Sequence, residues 1–235
     1  MSGRGAIQGI LPLLDADWLE RIELISVADL RRFRSGSPSI VAAIARSFGE
    51  LAISSVQLRC KGAGRRCQEF ATLWVDALRQ YSPQVAIVIN DHLDLALSLA
   101  ADGVHVGQED QSVAICRRLL GPGKLIGLST HSLAEVLAAN REAVDYIGFG
   151  PLFTTHTKQD AQAAQGVARL SEVCQVAQKP VVAIGGIQNS DAKQIAATGA
   201  AAMAMISGLW ERENWRKRME EAASTWESCQ GAWTR

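Results

Sequence analysis

The amino-acid sequence predicts an α/β fold, and specifically a single-domain (β/α)8 barrel. Eight short apolar segments with strand character alternate with eight segments of helical periodicity, and such strict alternation implies a parallel sheet. The chain has 235 residues, a length at which eight such units commonly close into one barrel. The alternative is an open doubly wound sheet, which is disfavoured because no GxGxxG motif follows the first predicted strand.

The most informative stretch covers residues 85–110 and has the pattern of one βαβ unit. Its predicted elements are a strand over Val85–Ile89, a helix over Leu93–Leu99 and a strand over Val104–Val106. Asn90 and Asp91 follow the first strand directly, and the polar cluster Gln108–Asp110 follows the second. Neighbouring parallel strands end at the same edge, so the carboxylates of these two polar clusters should lie close together and repel unless a cation lies between them. Oxygen ligands of this kind suit Mg²⁺, so this edge is a candidate magnesium site.

The other elements follow the same alternation, with a weaker pattern at the start of the chain. Residues 1–20 show no clear period and are predicted to be an N-terminal extension or capping segment, which leaves residues 21–235 as the catalytic barrel domain. Further strands are predicted over Ile22–Val27, Ile53–Leu58, Leu125–Leu128, Tyr146–Phe149, Val181–Ile184 and Ala202–Ile206. Further helices are predicted over Ile40–Phe48, Cys67–Gln80, Ser112–Leu120, from Ser132 onward with a capping box to Glu135, and over Ala168–Gln178, Asn189–Thr198 and Glu213–Trp226.

Composition limits the classes of partner and compartment. With 24 basic and 24 acidic residues the formal net charge is zero, so nothing electrostatic favours nucleic acid or an anionic membrane. No apolar run reaches the length of a membrane span, and the first residues lack the layout of a signal peptide. The five cysteines show neither disulfide nor metal-ligand spacing, which favours reduced thiols in a cytoplasmic protein. We expect small-molecule substrates, and the sequence leaves open whether the chain forms a homo-oligomer.

Polar residues recur at the predicted carboxyl ends of the strands, where a barrel of this kind carries its site. Besides the residues after strands three and four, they are Arg59 and Lys61, Ser129, Thr155–Lys158, Gly185–Gly186 and Ser207–Gly208. Loops are polar in any case, so each tip alone is weak evidence. Seven consecutive tips with groups that suit phosphate or metal favour a functional rim.

Two anion sites are predicted on this rim. Gly185–Gly186, followed by a helix start at Asn189, forms with Ser207–Gly208 the phosphate-binding arrangement expected after strands seven and eight. The simpler alternative is a pair of tight turns that need glycine. Arg59, Lys61 and Lys158 form a second basic group, which suits a diphosphate beside the two carboxylates. For any one of these cations alone, a surface ion pair is the simpler explanation.

Several segments together resemble the thiamine-phosphate synthase family, also called thiamine-phosphate pyrophosphorylase. They are VQLRCK (56–61), INDHLDLALSLAADGVHVGQED (89–110), IGLSTHSLAE (126–135), DYIGFGPLFTTHTKQDA (145–161), PVVAIGGI (180–187) and AMISG (204–208). The resemblance covers most of residues 53–208 and implies a transferase of thiamine biosynthesis. Such an enzyme joins hydroxymethylpyrimidine diphosphate to hydroxyethylthiazole phosphate, giving thiamine phosphate and diphosphate.

The resemblance also implies a role for each matching residue. Gln57 would face the pyrimidine, and Asp91 with Asp110 would bind Mg²⁺. The residues that would hold the diphosphate, and so act as the catalytic groups, are Arg59, Lys61, Asn90, Ser129 and Lys158. The residues that would bind the thiazole phosphate are Thr155, Thr157, Gly185, Ile206 and Ser207.

Three positions depart from the family pattern. Cys60 stands where the family often has an acidic residue, His92 where arginine is common, and Thr154 where proline is usual. We interpret His92 as a hydrogen-bonded structural residue and Cys60 as non-catalytic, although its two cationic neighbours make it a candidate reactive thiol. Two alternative functions remain open at this stage: a thiazole tautomerase and a non-catalytic sensor of thiamine phosphates.

Overall fold

Eight parallel strands hydrogen-bond in chain order and close into a barrel, with β1 beside β8, in the computed structural model. The structure describes residues 7–25, 32–37, 39–62, 64–155 and 163–230. The strands are β1 (Gly9–Asp15), β2 (Ser55–Arg59), β3 (Ala86–Asn90), β4 (Gly103–Val106), β5 (Leu125–Thr130), β6 (Tyr146–Phe149), β7 (Val181–Ile184) and β8 (Ala202–Met205). The predicted (β/α)8 fold is therefore confirmed.

Helices follow the strands and cover the outside of the barrel. They are α1 (Ala16–Arg21), α2 (Ile40–Glu50), α3 (Arg65–Tyr81), α4 (Leu93–Ser98), α5 (Val113–Leu120), α6 (Leu133–Ala139), α7 (Gly166–Val176), α8 (Ala192–Ala196) and α9 (Trp215–Gln230). The predicted cap of α6 is present, because the Ser132 hydroxyl accepts a hydrogen bond from the Glu135 amide at 3.2 Å. None of the helices in the described part of the chain is long and apolar enough to span a bilayer.

The first strand lies earlier in the chain than the sequence predicted. The prediction over Ile22–Val27 is wrong for residues 22–25, because Ile22 caps α1 and the strand is Gly9–Asp15; residues 26 and 27 lie outside the described part of the chain. Pro12 and a shortage of β-branched residues weaken the strand pattern of this segment. Pairing with both β2 and β8 nevertheless holds it in the sheet. Residues 9–20 therefore belong to the barrel and not to an N-terminal extension.

Two apolar layers flank the strands. In β1, Ile10 and Leu14 pack in the large cluster between barrel and helices, whereas Leu11 and Leu13 belong to the smaller cluster inside the barrel. This alternation buries both faces of the strand, as expected for a parallel sheet. The apolar cluster inside the barrel lies directly below the polar residues at the strand ends.

The structure also corrects the prediction for the cysteines. Cys60 directly follows β2 and Cys67 lies in the first turn of α3, and the two form a disulfide with Cα atoms 5.5 Å apart. Among the described residues Cys116, Cys174 and Cys229 are free. The prediction of reduced thiols is therefore wrong for Cys60 and Cys67. A separation of seven residues carries no disulfide signature, and the strand-to-helix turn brings the two sulfurs together.

Candidate active site

A cavity of about 190 Å³ opens at the carboxyl ends of the strands. The predicted site residues that line it are Gln57, Arg59, Asn90, Ser129, Thr155, Gly185, Ile206 and Ser207. Lys61, Asp91 and Asp110 are exposed on loops that follow β2, β3 and β4. Thr157 and Lys158 lie outside the described residues. Residues from six of the seven predicted tips thus meet at one end of the barrel.

Arg59 is the buried cation of this cavity. Its side chain is only 7% exposed, and Nη1 donates to Asp15 Oδ2 at the end of β1. Asp15 also caps α1, since Oδ1 accepts from the Trp18 amide at 2.8 Å. The Nε of Arg59 is buried with no hydrogen-bond partner in the described part of the chain. A buried donor without a partner is costly, so an anion in the adjoining cavity would stabilise it.

A hydrogen-bonded network crosses the barrel interior below the strand tips. His105 Nε2 lies 2.8 Å from Ser129 Oγ, and His105 Nδ1 lies 2.9 Å from the Tyr146 hydroxyl, which also hydrogen-bonds Gln57. Burial raises the pKa of Tyr146 well above the ordinary value of 10.0, an effect that the Gln57 hydrogen bond opposes. The hydroxyl is therefore neutral at physiological pH and holds the side chains of Gln57 and His105 in place.

Sequence reasoning assigned no role to His105 or Tyr146, although both lie in segments that carry the family resemblance. The available signal was the period of two along β4 and β6, which turns both side chains into the barrel. Gly127 makes room for them, because a Cβ atom there would lie 2.1 Å from Tyr146 Cζ and 2.3 Å from His105 Nδ1.

Asp91 and Asp110 lie on adjacent strand tips. The Asp91 amide donates to the His105 carbonyl at 2.8 Å, and two residues beyond His105 the Gly107 amide donates to Asp110 Oδ2 at 2.7 Å. Asp91 has a φ of 64°, a left-handed conformation that is uncommon outside glycine and concentrated at functional sites. Groups of three or more His, Cys, Asp or Glu side chains able to hold a metal are absent from the described residues. A pair of exposed carboxylates still fits Mg²⁺, which keeps waters and takes phosphate oxygens as its other ligands.

His92 links the tips of β2 and β3. Its Nε2 lies 3.2 Å from the Cys60 carbonyl, which can only accept, so Nε2 donates. This contact agrees with the structural role predicted for His92.

The glycine turn after β7 forms the opposite wall of the cavity. Gly185 and Gly186 have φ values of 90° and 70°, and a Cβ atom at Gly185 would lie 2.5 Å from Pro151 Cβ. Both conformation and close packing therefore require glycine here. Ile206 and Ser207 line the cavity beside this turn.

The side chain of Asn189, at the predicted helix start, contacts α9. Asn189 Nδ2 donates to the Arg218 carbonyl at 2.9 Å, so the side chain is turned towards α9. The segment begins as a 3-10 turn (Asn189–Asp191), and Asp191 Oδ2 accepts from the Gln188 amide at 2.9 Å. The Asp191 carboxylate thus takes one amide of this helix start, and the role of the start in binding an anion stays a prediction.

The closed parallel barrel, with a cavity of mixed polar and apolar lining at its carboxyl end, is the architecture of a (β/α)8-barrel enzyme. A family model described as "Thiamine monophosphate synthase" matches residues 30–209. A thiamine-phosphate synthase of Persephonella marina is 38% identical over 174 residues, which cover 74% of this chain and 82% of that relative. Another from Chloroflexus aurantiacus is 41% identical over 194 residues, which cover 82% of this chain and 85% of the relative. A solved thiamine phosphate pyrophosphorylase from Pyrococcus furiosus superposes with a TM-score of 0.73 at 27% identity, covering 94% of this chain and 96% of that one.

The chain therefore belongs to the thiamine monophosphate synthase family. Its function is that of a thiamine-phosphate synthase, which is a transferase. These comparisons give no support to the two alternatives, a thiazole tautomerase and a non-catalytic sensor.

Proposed function

We propose that the two ends of the cavity divide the two substrates between them. The diphosphate of hydroxymethylpyrimidine diphosphate binds on the side of the cavity formed by the ends of β2 to β5. The phosphate of hydroxyethylthiazole phosphate binds on the side formed by the ends of β7 and β8. The observation that carries this proposal is the buried Arg59 Nε, which has no partner among the described residues and adjoins the cavity.

At the diphosphate edge, the chain supplies donors from successive strands. Arg59, Asn90 and Ser129 line the cavity, and Lys61 is exposed directly after β2. Lys158 would add a further cation from the segment 156–162. These side chains would bind the diphosphate and stabilise the negative charge that develops as it leaves.

Asp91 and Asp110 would hold Mg²⁺ through carboxylate oxygens at the same edge. The ion, when bound, supplies positive charge beside the leaving diphosphate. The arrangement of the two carboxylates on adjacent tips and their exposure support this assignment.

On the β7–β8 side of the cavity, the backbone amides of the Gly185–Gly186 turn would donate hydrogen bonds to the thiazole phosphate. Ile206 and Ser207 would complete this phosphate site, together with Thr155 and Thr157. Glycine leaves the backbone open to close approach by the ligand, and this explanation adds to the conformational need for glycine already described.

The chemistry needs positioning and charge stabilisation, with no nucleophilic side chain. The electron-rich aminopyrimidine stabilises a cation at its exocyclic methylene, so departure of diphosphate can precede attack by the thiazole nitrogen. Gln57, held by Tyr146, would orient the pyrimidine. Leu11, Leu13 and Val182 line the cavity with apolar surface, which keeps water away from the cation.

A coupled-substrate assay tests the proposal. Protein, Mg²⁺ and both substrates are mixed, and thiamine phosphate is detected as its fluorescent thiochrome derivative. We expect product that is lost with EDTA and with Lys158→Ala or Asp91→Ala. The proposal fails if no product forms while phosphate ligands still raise the melting temperature.

The cellular setting is part of the same proposal. A biosynthetic enzyme of small phosphorylated substrates fits a cytoplasmic location, with no nucleic acid or membrane as partner. Whether the chain works as a homo-oligomer is tested by light scattering of the purified protein.

A further inference from the structure

We propose that Cys60 and Cys67 form a reversible disulfide that sets the affinity of this site for the diphosphate group. The proposal rests on the diphosphate role proposed for Arg59 and Lys61. The sequence suggested Cys60 as a single reactive thiol, whereas the structure pairs it with Cys67 as its resolving partner.

The two cysteines are placed so that the bond needs no backbone movement. Their Cα atoms are 5.5 Å apart, in the middle of the range for disulfides. Cys60 is 6% and Cys67 2% exposed, and they pack with Ala16 in a small apolar cluster separate from the main core. Phe70 and Leu95 pack against both this cluster and the main core, so a change at these sulfurs acts first on the turn between β2 and α3.

The reduced form also has its hydrogen-bond partners in place. Cys67 Sγ lies 3.4 Å from the Lys61 carbonyl and 3.5 Å from the Gly62 carbonyl, and Cys60 Sγ lies 3.8 Å from the Lys61 carbonyl. When the bond is broken, each thiol can donate to one of these oxygens. Both redox states thus have hydrogen-bond partners within the same turn. Exchange with a small disulfide requires local opening of this turn, because the two cysteines are only 6% and 2% exposed.

The disulfide closes a ring that contains one proposed diphosphate ligand and adjoins another. Lys61 lies inside the ring and Arg59 directly precedes it. The Cys60 carbonyl accepts from His92, which follows Asp91 at the neighbouring tip. A closed ring restricts the conformations of Lys61 relative to this tip, and a restricted ligand loses less entropy when the diphosphate binds.

The redox step is a thiol–disulfide exchange with a low-molecular-weight disulfide such as oxidised glutathione. One protein thiolate attacks the small disulfide and releases one small thiol, and the second cysteine then displaces the other. The protein loses two S–H bonds and gains one S–S bond, while the small disulfide takes up two electrons and two protons. In a reducing compartment, disulfides are usually transient and serve sensing or catalysis. A cytoplasmic location therefore favours a reversible bond at this place over a permanent one.

The test compares the protein after dithiothreitol with the protein after oxidised glutathione. Titration of unfolded protein should find five thiols after reduction and three after oxidation, since Cys116, Cys174 and Cys229 stay free. The KM for the pyrimidine diphosphate should be about three- to tenfold higher in the reduced protein, with the KM for the thiazole phosphate unchanged. The Kd for inorganic diphosphate with Mg²⁺ should rise by the same factor.

Two variants separate this switch from general effects of the reagents. Cys67→Ser cannot form the ring and should bind diphosphate as the reduced protein does under both treatments. Cys229→Ser, on α9, removes a cysteine outside the pair and should keep the full response.

The outcomes distinguish this proposal from the proposed function. Five thiols after oxidation, or equal diphosphate affinity in both states, would overturn the switch. Redox-dependent binding of inorganic diphosphate without any thiamine phosphate would support the switch and refute the proposed reaction.

Discussion

Replacement of Asp15 by asparagine isolates the charge that faces Arg59. The Asp15 side chain is 3% exposed, and its carboxylate pairs with the guanidinium of Arg59. Asparagine keeps the volume and one acceptor oxygen for the Trp18 amide, but it leaves the guanidinium without a counter-charge. Loss of one partner from a buried ion pair costs about 3–5 kcal/mol, so we expect a loss of roughly 3 kcal/mol in the free energy of unfolding. Activity should fall by more than the loss of folded protein alone would cause, because Arg59 loses the group that orients it.

Matched variants separate charge from capping and from surface effects. Asp15→Ala also removes the cap of α1 and should cost about 1 kcal/mol more than Asp15→Asn. Asp17→Asn is the control, because Asp17 is 46% exposed and its pair with Arg66 at 2.8 Å lies on the surface. Such pairs contribute at most about 1 kcal/mol. The double variant Asp15→Asn/Arg59→Gln should recover part of the stability, since no unpaired buried charge remains.

Urea unfolding followed by circular dichroism measures these differences at constant pH. The diphosphate affinity of each folded variant is measured in parallel with inorganic diphosphate. If Asp15→Asn costs less than about 1 kcal/mol, or if Asp17→Asn costs as much, the buried pair does not have the role that its burial implies.

Three further predictions concern the barrel interior and the metal. Gly127→Ala should sharply lower stability and activity, because its Cβ would lie 2.1 Å from Tyr146 Cζ. Gly123→Ala is the control, because its Cβ would lie in open space. Thermal unfolding and the thiochrome assay compare the two variants. Stability should fall as pH rises above about 10, because burial raises the pKa of Tyr146 and only the unfolded chain ionises it there. Tyr146→Phe should flatten this alkaline slope relative to wild type, as urea titrations at several pH values would reveal. Asp110→Asn should raise the Mg²⁺ concentration needed for half-maximal activity without changing the melting temperature by more than about 2 °C; an unchanged Mg²⁺ requirement would contradict the ligand assignment.

Periodicity predicted most of the fold. The strand expected at Val85–Ile89 is found at Ala86–Asn90, and the helix expected at Cys67–Gln80 is found at Arg65–Tyr81. These elements could be predicted because each carries its own apolar pattern, with a cap or turn at its ends. The first strand could not, since Gly9–Asp15 has a weak local pattern and depends on pairing with β2 and β8.

The sequence by itself determined the barrel and the polar strand tips, because strand length, alternation and tip chemistry are all local properties of the chain. Eight of the predicted site residues line one cavity as a result. Only the tertiary structure decided which groups touch. Asp15 meets Arg59 across 44 residues, and His105 joins Ser129 to Tyr146 across the barrel interior. The turn into α3 brings Cys60 to Cys67, and α9 accepts a hydrogen bond from the side chain of Asn189. Such contacts depend on the closure of the sheet and the packing of elements distant in sequence, which no local pattern encodes.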